Sequence, residues 1–218
     1  MRTAFREELD LITASVAGMT ELVAMAMDRA TVALLEADLA LADQVMTGDR
    51  RVDSLRTDLE DRCVALIAQQ QPVATDLRLL ISTIHLAGDL ERMGDLAAHI
   101  AKIARRRHPH SAVPAQARDV IAQMGDVAHS LVTTVADVLE GRDVELAAAM
   151  ETEDDSMDAL RRKLFTIVLS PGWAHGTAAA IDATLLGRYY ERYADHAVAI
   201  ARRTVFVATG NHPGPVRR

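Results

Sequence analysis

Eight carboxylates recur in this 218-residue chain at a spacing that suits cation coordination. Asp49 and Asp53, Glu91 and Asp95, Asp154 and Asp158, and Glu191 and Asp195 each stand four residues apart. On a helix that spacing puts both acids of a pair on one face. At about 100° per residue, Leu77, Leu80, Ile84, Glu91 and Asp95 fall in a stripe about 60° wide, so this pair continues an apolar seam. Asp49 and Asp53 lie at the edge of a second seam, formed by Val45, Val52, Leu59 and Leu66, within reach of a shared site. Acids on a packing face cost free energy unless they meet cations. Two chemistries satisfy them. Arg50, Arg51, Arg92, Arg188 and Arg192 can form ordinary interhelical salt bridges; alternatively, four carboxylates with few nitrogen or sulfur donors make an oxygen-rich site for Mg²⁺, Mn²⁺, Ca²⁺ or iron.

Other site chemistries are poorly supplied. The Glu-x-x-His pair of di-iron bundles and the His-Glu-x-x-His zinc motif are both missing from the sequence, which disfavours redox oxygen chemistry. His99 is one turn beyond Asp95, but its repeat partner is Ala199; His196 adjoins Asp195 on a different face. Both read as surface or hydrogen-bonding histidines. There is no Gly-rich phosphate loop and no nucleophile elbow, and Cys63 has no evident base partner and reads as a small core residue. The chain is therefore expected not to be an enzyme. Its rivals are a metal-dependent phosphoesterase using the acid clusters and a purely structural bundle with salt-bridged acids.

The elements that must position these acids are helices. Aromatic residues make up 3% of the chain and hydrophobic residues 50%, with no β-type alternation bounded by turns. Breaks at Gln71-Pro72, His108-Pro109 through Pro114, Gly141-Arg142-Asp143 and Ser170-Pro171-Gly172, with a weaker one at Asp38, predict helices at about 3–37, 39–70, 74–107, 114–140, 144–169 and 176–208. The tail from residue 210 to 218 is expected to be flexible. A net charge of −7 opposes a nucleic-acid surface, and Arg105, Arg106 and Arg107 read as cations complementing a helix C-terminus. No signal pattern opens the chain, and no stretch reaches the roughly 20 apolar residues of a membrane span. A cytoplasmic protein without direct membrane insertion is expected.

The halves repeat. DLALADQVMTGDRRVD from Asp38 lies without a gap over DVELAAAMETEDDSMD from Asp143, an offset of 143 − 38 = 105, which pairs Asp49 with Asp154 and Asp53 with Asp158. LERMGDLAAHIA at 90–101 lies over YERYADHAVAIA at 190–201, an offset of 100, which pairs Glu91 with Glu191 and Asp95 with Asp195. Short connections make neighbouring helices antiparallel. The expected fold is all-α: two tandem, pseudo-symmetric antiparallel three-helix bundles, 1–108 and 109–209.

GDRRVD at 48–53, QQPVATDLR at 70–78, DLERMGD at 89–95 and RYYERYAD at 188–195 resemble the PhoU family, the phosphate-transport regulatory proteins, in order, spacing and duplication. The likeness extends to about residue 208. Ala194 stands where the family usually has glycine, and Ala199 where an asparagine is common. The resemblance implies two three-helix bundles and frequent homodimers. It also implies multinuclear metal sites at Asp49, Asp53, Glu91, Asp95, Asp154, Asp158, Glu191 and Asp195, holding divalent or ferric ions (Fe, Mn, Mg or Zn). Finally, it implies a negative regulator of the phosphate-starvation response, linking a phosphate ABC transporter to a sensor histidine kinase.

Overall fold

A computed structural model describes residues 2–141 and 143–211. Of the segment 210–218, residues 212–218 lie outside the described residues, as does Arg142. Six helices follow the expected punctuation within about a residue: α1 (Arg2–Glu36), α2 (Leu39–Gln70), α3 (Ala74–Arg107), α4 (Ala115–Gly141), α5 (Val144–Val168) and α6 (Gly176–Thr209). Asp38 caps α2, its carboxylate accepting from the Leu41 N–H at 2.9 Å, and Asp143 caps α5, accepting from Glu145 at 2.9 Å and Leu146 at 3.1 Å. Each cap satisfies N–H groups that the first turn leaves unpaired. Equivalent caps at equivalent positions make the duplication visible at the backbone.

In each half the first two helices and the third pack on one another. The halves then meet through α1 against α4 and α3 against α6. These four helices form a central ring, with α2 laid on α1 and α3, and α5 laid on α4 and α6. Contacts between Arg106 and Asp182, His99 and Tyr189, and Asp89 and His196 have nearly constant residue sums, so α3 and α6 run antiparallel about a pseudo-twofold axis. One hydrophobic core runs through both units. Buried residues recur in register: Ala42 with Ala147, Val45 with Met150, Val52 with Met157, Leu59 with Leu164, and Cys63 with Val168. Cys63 is thus the core residue its position suggested, and burial raises its thiol pKa to about 11, which keeps it unreactive.

At the ring's centre Tyr190 and Tyr193 are fully buried. The Tyr190 hydroxyl and Thr31 Oγ1 are hydrogen-bonded at 2.8 Å, and the Tyr193 hydroxyl donates to the Val23 carbonyl at 3.4 Å. Gly125 makes room for this arrangement, because a Cβ there would stand 2.6 Å from Thr31 Cγ2. Thr31 is short and branched and has little freedom to yield. Gly125→Ala is therefore expected to destabilise the fold by about 1–3 kcal/mol, read as a lower urea midpoint. A midpoint equal to wild type would show that the α1–α4 contact is looser than described.

Helix α1 contains an 18-residue window of mean hydropathy 1.4, a length and composition shared by membrane spans and by core helices. In this fold Ile12, Val16, Met19, Val23 and Met27 of that helix supply core residues, yet just 33% of the window is buried.

Candidate metal centre

Each half brings its four acids to the boundary between its second and third helices. Electrostatic coupling identifies the convergence. Burial first, then Asp95, Asp53 and Glu91, push the Asp49 carboxyl up to about 6, with Lys102 opposing. In the second half burial, then Asp195, Asp158, Asp155 and Glu191, push Asp154 up to about 6 as well. Two carboxyls predicted to be equivalent are thus perturbed alike, by desolvation and by like charge. Glu91 is also raised, by burial and then Asp95 and Asp53, against the cations Arg92 and Arg56.

The innermost acid of the first half is held at a close helix crossing. Gly94 on α3 faces Asp49, and a Cβ added there would lie 3.3 Å from Asp49 Oδ1 and 3.3 Å from Val52 Cγ1. That oxygen is buried and has no hydrogen-bond partner. The packing seam Val45, Val52, Leu59 and Leu66 is buried as expected. The third-helix stripe differs: Leu80 is buried, Ile84 is half-buried and Leu77 is exposed. Because α3 lies inside the ring, its core face is broad, and Glu91 and Asp95 mark the edge of that face rather than its centre.

Arginines occupy the outer acids. Arg92 reaches Asp95 at 3.0 Å and Glu91 at 3.5 Å. In the second half Arg192 reaches Asp195 at 3.2 Å, Arg188 pairs with Glu191, and Arg161 lies 3.6 Å from Glu191 and 3.9 Å from Asp158. Arg50 and Arg51 form no ion pair among the described residues. Arg161 was not singled out in the sequence, although its repeat partner Arg56, paired at 3.1 Å with Glu60, sits on the same helical face. Among the described residues no three His, Cys, Asp or Glu side chains stand close enough to hold an ion as placed. The donors fit a hard cation in kind, being all carboxylate oxygen around an unsatisfied Asp49, and an ion would have to draw them from the arginines.

The histidines do other work. His99 stacks on Tyr189 with ring centroids 5.2 Å apart, and His196 Nδ1 lies 3.0 Å from Asp89 Oδ1, joining α3 to α6. Arg106 and Arg107 do more than complement the α3 dipole: both pair with Asp182 on α6, which is 2% exposed, and Arg107 Nε donates to Asp182 Oδ2 at 2.6 Å. The signal for this clamp was an acid at 182 inside the apolar run AAAIDATLL, where the first half has Ser82.

The PhoU domain model matches residues 16–104 and again 121–204, one copy in each half. The chain belongs to the PhoU family. A PhoU homolog 2 of Mycobacterium tuberculosis, described as a phosphate-specific transport system accessory protein, is 48% identical over 98% of this chain and 100% of its own length. The crystal structure of PhoU from Pseudomonas aeruginosa superposes with a TM-score of 0.84 at 27% identity, covering 95% of this chain and 100% of that one. PhoU from Streptococcus pneumoniae, described as a phosphate transport system regulatory protein, shares the fold at a TM-score of 0.86 and 24% identity, covering 97% of this chain and 100% of that one. The PhoU fold of two pseudo-symmetric three-helix units is therefore that of this chain. Both acidic boundaries lie inside the two PhoU segments.

Proposed function

We propose that this protein is a cytoplasmic adaptor that regulates phosphate transport and holds the phosphate-starvation response off when phosphate is plentiful. Contacts with a phosphate ABC transporter and a sensor histidine kinase carry the signal, and the active form is a homodimer. The observation that carries this reading is the 48% identity, across the whole chain, to a protein named as an accessory of phosphate-specific transport. No catalytic role is assigned, because the relatives are named as accessory proteins of phosphate-specific transport.

The reading includes divalent or ferric ions held by Asp49, Asp53, Glu91 and Asp95 in one half and by Asp154, Asp158, Glu191 and Asp195 in the other. Support comes from Asp49 and Asp154, half-buried carboxyls crowded by like charge and lacking an arginine. A bound cation relieves that repulsion and stabilises the folded site over the unfolded chain.

Deleting the gene is expected to leave phosphate-starvation promoters active in phosphate-rich medium, with repression restored by the wild-type copy, in a strain lacking other PhoU-family genes. Full repression in that strain without the gene would overturn the regulatory reading. Turnover of generic phosphoesters by the metal-loaded protein would favour the enzyme.

A further inference from the structure

The pseudo-twofold lets each end of the central ring serve as a control for the other, and the two ends differ. Where α4 and α6 end against α1, a cleft of about 480 Å³ opens, walled by Val16, Leu79, Leu86, Leu139 and Val207 and rimmed by Asp10, Glu21 and Glu140. None of these three carboxylates has an ion-pair partner among the described residues. At the opposite end the positions of Thr13 and Val207 (118 − 105 and 107 + 100) are taken by Arg118 and Arg107. Arg118 donates to the Leu35 carbonyl and to Glu36, and Arg107 pairs with Asp182. Both ends are hollowed, but the arginine end is lined by Arg106, Arg107, His110 and His175 around about 410 Å³, whereas the other sets acids around an apolar cleft.

The apolar surface continues out of the cleft along α1. Leu11 is 55% exposed, Met25 42% and Val32 48%, at seven-residue intervals that include Gly18, whose missing side chain would meet nothing within 4 Å. Their counterparts on α4, at an offset of 105, are Gln116, Gln123, Ser130 and Asp137, all exposed. The same helix position is polar in one copy and apolar in the other, which accounts for α1's hydropathy of 1.4 with a third of the window buried. Burial in this fold does not require those side chains.

We propose that the outer face of α1 and the adjoining cleft form a docking groove for a basic amphipathic helix of a partner protein. An apolar anchor enters the cleft, and flanking Arg or Lys side chains meet Asp10, Glu21 and Glu140. The stripe is longer than a small ligand would use and matches the heptad spacing by which a helix fills a groove. The acids disfavour an anionic lipid surface, and a second copy of the chain is an outcome the test below distinguishes. The groove shares no residue with the acidic boundaries, so its occupancy goes beyond the metal reading.

The test titrates the full chain with two labelled 20-residue designed helices, one with Leu at helical spacing flanked by Arg and the other with Glu in place of Arg. The Arg helix is expected to bind at least tenfold tighter than the Glu helix, and more weakly at high salt. The same binding should fall at least tenfold in Leu11→Gln/Met25→Ser, which copies the α4 face at exposed positions, and in Glu21→Lys/Glu140→Lys. Circular dichroism checks that both variants remain folded. Equal binding of the two helices, no binding of either, or affinity unchanged in both variants would overturn the proposal. So would preferential binding to phosphatidylglycerol vesicles, or sedimentation showing that Leu11 and Met25 hold a dimer interface.

Discussion

Replacing Arg106 and Arg107 together by alanine lowers the folding free energy by about 3–5 kcal/mol, because it strands a buried carboxylate without a counter-charge. Asp182 is 2% exposed, while Arg106 is 59% and Arg107 35% exposed. The burden is therefore unequal. Replacing Asp182 by serine, the residue at position 82 in the first half, frees two arginines to turn to water and costs about 1–2 kcal/mol. Urea denaturation of the three proteins at neutral pH reads the difference. Equal losses for the two variants would mean that the clamp is worth no more than its surface-exposed half. The clamp joins the C-terminal turn of α3 to α6, so the double variant is also expected to loosen the two units from each other before either unfolds.

The second large effect is a pH dependence opposite to that of most carboxylates. Asp49 and Asp154 have folded pKa values raised to about 6 from 3.8. A raised pKa means that the folded state binds these protons more tightly than the unfolded chain, so the two acids' contribution to stability is fully present below about 4 and is lost as pH rises through about 6. After discounting for partial exposure, the loss is roughly 1–2 kcal/mol per acid in metal-free protein. Asp49→Asn/Asp154→Asn removes it: the metal-free variant is expected to be more stable than wild type at pH 7, with a flat profile between pH 5 and 7. A metal-free wild type whose melting temperature rises from pH 5 to pH 7 would contradict this account, since it would place these carboxylates beside cations.

The helices and their repeat were legible in the sequence because the signals are local. Proline and aspartate mark the breaks, and Asp38 and Asp143 cap equivalent helices. The offset of 105 carried the pairing of Asp49 with Asp154, and both carboxyls are perturbed in the same direction. What the sequence could not supply was the contact between the halves. Single-helix periodicity describes one face at a time, whereas α3 packs on α1, α2 and α6 together. For that reason periodicity alone makes the Leu77 stripe a packing seam, and Arg106 and Arg107 dipole partners. The same blindness hid Asp182, whose partners lie 75 and 76 residues away. The exposed side of α1 was missed because an apolar helix looks like core wherever its neighbours are unknown.

The two acidic boundaries are alike in sequence but not in charge. Glu191 has Arg188 and Arg161 within ion-pair distance, whereas Glu91 has Arg92 at 3.5 Å and feels Arg56 from beyond that distance, and the position equivalent to Arg188 is Gly88. Gly94 lets α3 approach Asp49 where Ala194 stands in the second half. If the acids hold metal as proposed, fewer ion-paired arginines and an unpaired Asp49 oxygen predict tighter binding in the first half than in the second.

The most direct test is elemental analysis of the protein purified without chelator, beside Glu91→Ala/Asp95→Ala and Glu191→Ala/Asp195→Ala, with thermal melts of each with and without Mg²⁺, Mn²⁺ or Fe²⁺. The account predicts stoichiometric metal in wild type, most of it lost in the first variant and less in the second, and a melting temperature that rises with added ion in wild type. Equal metal content in all three proteins, with melts indifferent to every ion, would leave the acids as partners of arginine alone.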